Sequence, residues 1–287
     1  MSDCERIYLI QWLTLKRTGT VTCVKSGLPV KVRGLTVNRM PPSDAIACYE
    51  RSALRIIDLA SQRRGETVSS CPEWNGRDLI EHIGLESIGW PKIMETPMGG
   101  VPQTDMAALK EQVPGDDSAL ILWARESVGS FASGIGKLDP ATPTWSFTED
   151  QTLGFWIRRS SVEVALHLWD AEGWESGPRS HMPPVLAADG LDELAASFPI
   201  LLAMSGSSPE RPLAINATDP DGQWVIRGPE PGLTTPAEVR GTASDVLLRL
   251  WGRDTGTLTG DVGALEEWAR VNPMRLAEAY NESADNG

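Results

Sequence analysis

Histidine is nearly missing from this 287-residue chain, which holds three. Cysteine is scarce too. The four, Cys4, Cys23, Cys48 and Cys71, form no CxxC pair, which argues against a disulfide framework and against a cysteine-built zinc site. No run of about 18 uncharged apolar residues occurs that could span a bilayer, and the start lacks the charged, apolar and small-residue order of a secretory signal. A cytoplasmic protein with reduced thiols, engaging no membrane, is the expectation. Basic residues are thin in most of the chain. Positions 1–39 carry Arg6, Lys16, Arg17, Lys25, Lys31, Arg33 and Arg39 against Asp3 and Glu5, a balance of +5, so the net charge of −13 leaves −18 for the remainder. A body this acidic repels phosphate backbones, which removes DNA and RNA from the expected partners.

Residues 1–39 also lack a sustained helical period. They read as a disordered extension, translated from upstream of a start at Met40; a basic arm for an acidic partner and a transit peptide are the alternatives. From residue 40 the pattern becomes regular, and residues 40–178 read as one helical domain. Ser43 or Asp44 caps a first helix with Ile46, Tyr49, Leu54, Ile57 and Leu59 on its apolar face, ending near Arg63-Arg64-Gly65. Asn75 caps a second, with Asp78 completing a box-like arrangement, that runs to about Trp90. Residues 104–133 form one broken or two successive helices around Pro114-Gly115, and the last long helix covers about Leu153 to Gly173. Four helices joined by variable loops suggest an antiparallel four-helix bundle.

Beyond Gly177-Pro178 the texture changes. A helix at Val185–Met204 precedes short alternating stretches at 213–217, 223–227 and 237–240, separated by turn residues such as Asp219-Pro220-Asp221-Gly222. Helices resume at 242–251, where Ser244 is placed to cap, and at 261–271. Residues 179–275 therefore read as a smaller α+β domain, and 276–287 as a tail.

Within the greasy run RRSSVEVALHLWD at 158–170, Glu163 and His167 stand four residues apart, on one face of a helix apolar nearly all round. Arg159 and Asp170 extend the same stripe. A buried, unpaired carboxylate costs several kcal/mol, so Glu163 needs a partner: Arg159, His167 or a shared metal ion. His82 lies on the face of the second helix that a bundle would bury. Two histidines and one glutamate on facing helices make a set that leaves zinc an open fourth position, and the same donors suit nickel or iron. An internally satisfied ion-pair network remains the bland alternative at this point. Arg159 either receives a substrate carboxylate or neutralises Glu163 or Asp170; Asp170 suits the orienting of a ligating histidine. Trp74, Trp90 and Trp156 are candidate pocket walls, and His181 a surface residue.

Cys71-Pro72-Glu73-Trp74 leading into Arg77-Asp78-Leu79 and His82, with Arg158-Arg159, Glu163, His167, Trp169 and Asp170 far downstream, resembles the mycothiol-dependent maleylpyruvate isomerase family. The resemblance continues through Ala187–Leu194, Gly241–Leu248 with Trp251-Gly252-Arg253, and Gly260-Asp261. It implies a DinB-like four-helix bundle followed by a sterol-carrier-like α+β domain, with a divalent metal, zinc foremost, held by His82, Glu163 and His167. It further implies mycothiol, the low-molecular-weight thiol of actinobacteria, as cosubstrate. The implied activity is isomerisation of, or S-transfer to, a small electrophile, in a monomer or small homo-oligomer. A non-enzymatic metal- or ligand-binding module is the competing reading.

Overall fold

The computed structural model describes residues 39–205, 208–228 and 234–272. The expected extension, apart from Arg39, and the expected tail lie outside the described residues. These residues fall into two units, Arg39–Glu193 and Leu194 onward, and the division lies within a helix beyond the turn residues Gly177-Pro178. The class is mixed helix and sheet.

In the first unit, α1 (Pro42–Ser61) begins with proline at its first helical position and has no side-chain cap. The fixed φ of Pro42 starts the helix, so Ser43 and Asp44 sit inside the first turn rather than before it, and Asp44 lies against the positive end of the helix dipole. A small antiparallel hairpin follows, β1 (Thr67–Val68) and β2 (Cys71–Asn75). It delivers the chain into α2 (Gly76–Met94), whose cap is the expected box: the Asn75 side chain accepts from the Arg77 and Asp78 amides, and Asp78 accepts from the Asn75 amide. The helix continues past Trp90 and takes Pro91 into its last turns. A short α3 (Met106–Lys110) and a long α4 (Asp117–Ile135) flank Pro114-Gly115, which resolves that region into two helices. Finally α5 (Leu153–Ala171) runs into a 3-10 turn at Glu172–Trp174.

Helix α1 packs on α2, α4 and α5, and α2 packs on α4 and α5. The apolar faces meet through Tyr49, Ile56 and Ile57 of α1, Leu79, Ile80 and Ile83 of α2, Leu120 and Val128 of α4, and Ile157 and Leu166 of α5, all essentially inaccessible. Each such side chain contributes about 1.5–3 kcal/mol of burial. Two polar ties pin the register: Tyr49 Oη to Ser87 Oγ at 2.8 Å, and Ser161 Oγ donating to the Ala45 carbonyl at 2.8 Å.

Helix α6 (Pro184–Ser205) carries the chain from the first unit into the second. There β3 (Leu213–Thr218), β4 (Asp221–Ile226), β5 (Ala237–Gly241) and β6 (Thr259–Gly260) form one sheet in the order β4-β3-β5-β6. The β3–β4 pair is an antiparallel hairpin and β3–β5 is parallel. Helices α7 (Ala243–Leu250) and α8 (Val262–Arg270) are capped by Thr242 and Asp261 side chains, so Ser244 lies inside α7 instead of capping it. Ile215, Val239, Leu247, Leu265 and Trp268 are buried, with Phe198 stacked on Trp268 at 5.7 Å. No helix among the described residues is long and apolar enough to cross a membrane.

Candidate metal centre

The buried stripe of α5 meets the inner face of α2. Glu163 and His167 are each 1% exposed, and His167 Nε2 lies 3.4 Å from Glu163 Oε1. His82 reaches them from α2: one donor atom from each of His82, Glu163 and His167 lies within 4.8 Å of the others. The imidazoles of His82 and His167 meet edge to face at 4.7 Å, and the Trp74 ring lies 4.6 Å from one and 5.4 Å from the other. Trp74 comes from the end of β2, so the hairpin and the Asn75 cap place it beside the histidines. Trp90 and Trp156 instead pack on each other at 5.6 Å. His181 is exposed and outside the cluster.

Glu163 and His167 are each braced from behind. Arg159 Nη1 donates to Glu163 Oε2 at 2.7 Å, leaving Oε1 on the His167 side. The same guanidinium places its Nε 3.0 Å from Glu193 Oε1 on α6. Arg159 is 3% exposed, and of the partners open to it in sequence it takes Glu163. On the far edge of the His167 ring, Nδ1 donates to Asp170 Oδ2 at 3.0 Å. Asp170 also receives the Ser70 hydroxyl and has the Cys71 thiol 3.8 Å away. A carboxylate only accepts, so Asp170 fixes the Nδ1–H tautomer and turns Nε2 toward Glu163.

Electrostatics divide the two histidines. Burial, then the neighbouring His167 charge, pushes His82 down to about 3. Burial also pulls on His167, but the Asp170 and Glu163 carboxylates outweigh it and hold that group up at about 9. Against its burial, Glu163 is carried far below the ordinary carboxylate range by Arg159 and His167. Without a metal the cluster therefore holds a neutral His82 beside a His167 imidazolium paired to two carboxylates. A divalent ion would take the place of that proton.

The donor set fits such an ion. A tetrahedral centre with bonds of about 2.0–2.1 Å has ligand-to-ligand edges of about 3.3–3.4 Å, and the Nε2–Oε1 separation is 3.4 Å. Three residues escaped the sequence reading as members of this neighbourhood. Glu86, one helical turn after His82, is 1% exposed and sits with Oε2 3.6 Å from His82 Nε2. Glu193 is held up at about 7 by burial, against the pull of Arg159. Cys71 forms a second grouping with His167 and Asp170, at the outer edge of the ring. The i,i+4 spacing of His82 and Glu86 on a face also bearing Leu79 and Ile83 was the available signal for Glu86; nothing local marked Glu193.

Residues 49–172 match the model of the family described as "Mycothiol maleylpyruvate isomerase N-terminal domain". The helical unit belongs to this family. No curated protein matches the chain. Two solved structures, of the mycothiol-dependent maleylpyruvate isomerase and of a mutant of it with one histidine replaced by alanine, align over 80% of this chain and 97% of their own. Each does so with a TM-score of 0.58 at 15% identity. At that identity the likeness speaks for a shared fold, consistent with the mixed helix and sheet of both units.

Proposed function

We propose that the chain is a cytoplasmic metal-dependent enzyme that activates mycothiol for reaction with a small electrophile, by isomerisation or S-transfer. The observation that carries this reading is the convergence of His82, Glu163 and His167 inside a unit of the mycothiol maleylpyruvate isomerase family. Mutual packing of α1, α2, α4 and α5 supports a DinB-like antiparallel four-helix bundle, and the sheet of the second unit supports a sterol-carrier-like α+β domain.

In this reading His82, Glu163 and His167 hold a divalent ion, zinc foremost. When bound, such an ion lowers the pKa of a coordinating thiol, and the thiolate is the competent nucleophile. The protein's own groups prepare that chemistry. Arg159, itself held by Glu193, keeps Glu163 ionised and points one oxygen inward. Asp170 keeps the His167 proton on Nδ1, leaving Nε2 as the inward donor. Trp74 packs against both imidazoles and supplies an apolar wall beside them. Because its donors are engaged by Glu163 and Glu193, Arg159 serves as the counter-ion of the centre, and Arg158, paired to Asp150 at 2.6 Å with 14% of its side chain exposed, is the cation nearer solvent. For an unsaturated acid, thiolate addition to the double bond, rotation about the resulting single bond and elimination would regenerate the thiol. S-transfer would leave it on the product.

Elemental analysis of the purified protein, followed by mycothiol consumption with candidate electrophiles before and after chelation, tests the proposal. Divalent metal near one equivalent and chelator-sensitive turnover are expected. A metal-free protein with unchanged thiol turnover would overturn it. Thiol consumed in proportion to product identifies a transferase; thiol conserved identifies an isomerase.

A further inference from the structure

The outer edge of the His167 ring carries a second convergence of metal-type donors. Cys71 comes from the start of β2, His167 and Asp170 from the last turn of α5, and one donor atom of each lies within 4.8 Å of the others. Nδ1 of His167 is 3.0 Å from Asp170 Oδ2, and the same oxygen is 3.8 Å from Cys71 Sγ. In a tetrahedral zinc site the bond lengths to nitrogen, oxygen and sulfur set an N–O edge of about 3.4 Å and an S–O edge of about 3.6 Å. The two separations bracket those edges. His167 and Asp170 are each 1% exposed, whereas Cys71 is half-buried, so the trio is anchored in the interior and opens toward solvent at its sulfur. Cys48, the other described cysteine, is buried in α1 and joins no such group among the described residues.

We propose that Cys71, His167 and Asp170 form a second, looser metal site, which takes up a thiophilic divalent ion when such ions are in excess. It goes beyond the centre on the inner face of the ring and leaves that centre's ligands and open position as they are. Binding releases two protons, one from Cys71 Sγ and one from His167 Nδ1, and forms bonds to that sulfur, that nitrogen and one Asp170 oxygen. Thiolate and carboxylate together then match the divalent charge, and the thiolate favours soft ions over magnesium and calcium. With three protein donors, one of them near solvent, the site holds its ion less tightly than the buried centre and loses it during purification. Occupancy acts back on the centre: Asp170 no longer braces the imidazole, His167 is shared between two ions, and their like charges repel across one ring. Each ion therefore weakens the hold on the other.

The test titrates Co2+ anaerobically into the metal-free full chain and follows bound cobalt together with the sulfur-to-cobalt charge-transfer band in the near ultraviolet. In wild type the first equivalent should enter without the band, and excess Co2+ should add about one more equivalent along with it. Cys71→Ser should take up about one equivalent and show no band; Cys71→Ala, which leaves no donor at all, should do the same. His82→Ala, which disables the inner centre, should still develop the band in excess Co2+. Absence of the band in wild type, its persistence in both Cys71 variants, or its loss in folded His82→Ala would each overturn the proposal. A band in wild type at a total of about one equivalent, lost with Cys71 and indifferent to His82, would uphold the outer site and overturn the inner centre instead.

Discussion

Replacing Arg159 with methionine separates a counter-ion from a substrate receptor. The guanidinium is 3% exposed, 2.7 Å from Glu163 and 3.0 Å from Glu193. Methionine has similar reach but no charge, so Arg159→Met leaves two carboxylates facing each other in the interior. Breaking a buried pair by removing one partner costs about 3–5 kcal/mol, because the remaining charge stays desolvated. Glu193 already holds its proton up to about 7, so the loss should be near the top of that range at pH 8 and smaller at pH 5, where protonation relieves the repulsion. For a unit of this size the fall in Tm is about 2–4 °C per kcal/mol, or roughly 6–20 °C. Urea and thermal unfolding of the metal-free protein at both pH values measure it. Adding Glu193→Gln to Arg159→Met should recover a large part of the loss, since one of the two stranded charges is gone. A loss under about 1 kcal/mol at pH 8, which is the scale of an exposed pair, accompanied by a raised KM, would refute the counter-ion role and return Arg159 to the substrate.

Further outcomes follow from the same geometry. His82→Ala and His167→Ala should each leave the purified protein without stoichiometric metal by elemental analysis, whereas Glu163→Gln should weaken retention while the helical circular dichroism stays intact. Asp170→Asn, which removes the acceptor that fixes His167, should lower metal affinity about 10–100-fold in chelator competition without removing a ligand; full affinity would deny it the orienting role. The raised Glu193 value gives a signed pH dependence. The unfolded carboxyl ionises first, near its ordinary 4.5, and the folded one near 7, so its contribution to stability is full below about 4.5 and is lost as pH rises toward 7. Wild type should therefore lose roughly 2–3 kcal/mol relative to Glu193→Gln across that window, and a pH-independent difference would contradict the burial argument. At Gly76 an added Cβ would stand 2.5 Å from the Arg63 carbonyl oxygen. Gly76→Ala should thus cost about 1–3 kcal/mol and, by displacing the start of α2, weaken metal binding with it; an unchanged unfolding midpoint would show that the backbone yields freely.

The parts of this fold that could be read from sequence are those decided by near neighbours. Asn75 and Asp78 announce the start of α2 because capping is a contact over three residues, and the all-round apolar run of α5 announces burial because composition suffices. The convergence of His82, Glu163 and His167 was legible for a different reason: with three histidines in the chain, two of them on apolar helix faces, few arrangements were open. What escaped depends on distant partners. The β1–β2 hairpin is too short to show a period, and β2 contains Pro72. Thr242 rather than Ser244 caps α7, a shift of two residues that both side chains would satisfy locally. Glu193 joins the site because α6 carries it alongside α5, and Cys71 because a bend in the hairpin brings it to Asp170. No pattern along the chain encodes either meeting.

The bracing of His167 also bears on when the site can exist during folding. Ser70 and Asp170 are 100 residues apart in sequence, and Ala45 and Ser161, which tie α1 to α5, are 116 apart. Contacts at such separations form late, since each must repay the entropy of closing a long loop before it rewards the chain. The first and last helices of the unit must therefore have met before Asp170 can orient the imidazole, and His82 can join only once α2 has docked on α5. A partly folded chain offers scattered donors and no cage, so on the proposed reading tight metal capture would mark completion of the helical unit. Metal release on gentle heating should accordingly track the global unfolding of that unit, with no earlier transition of its own.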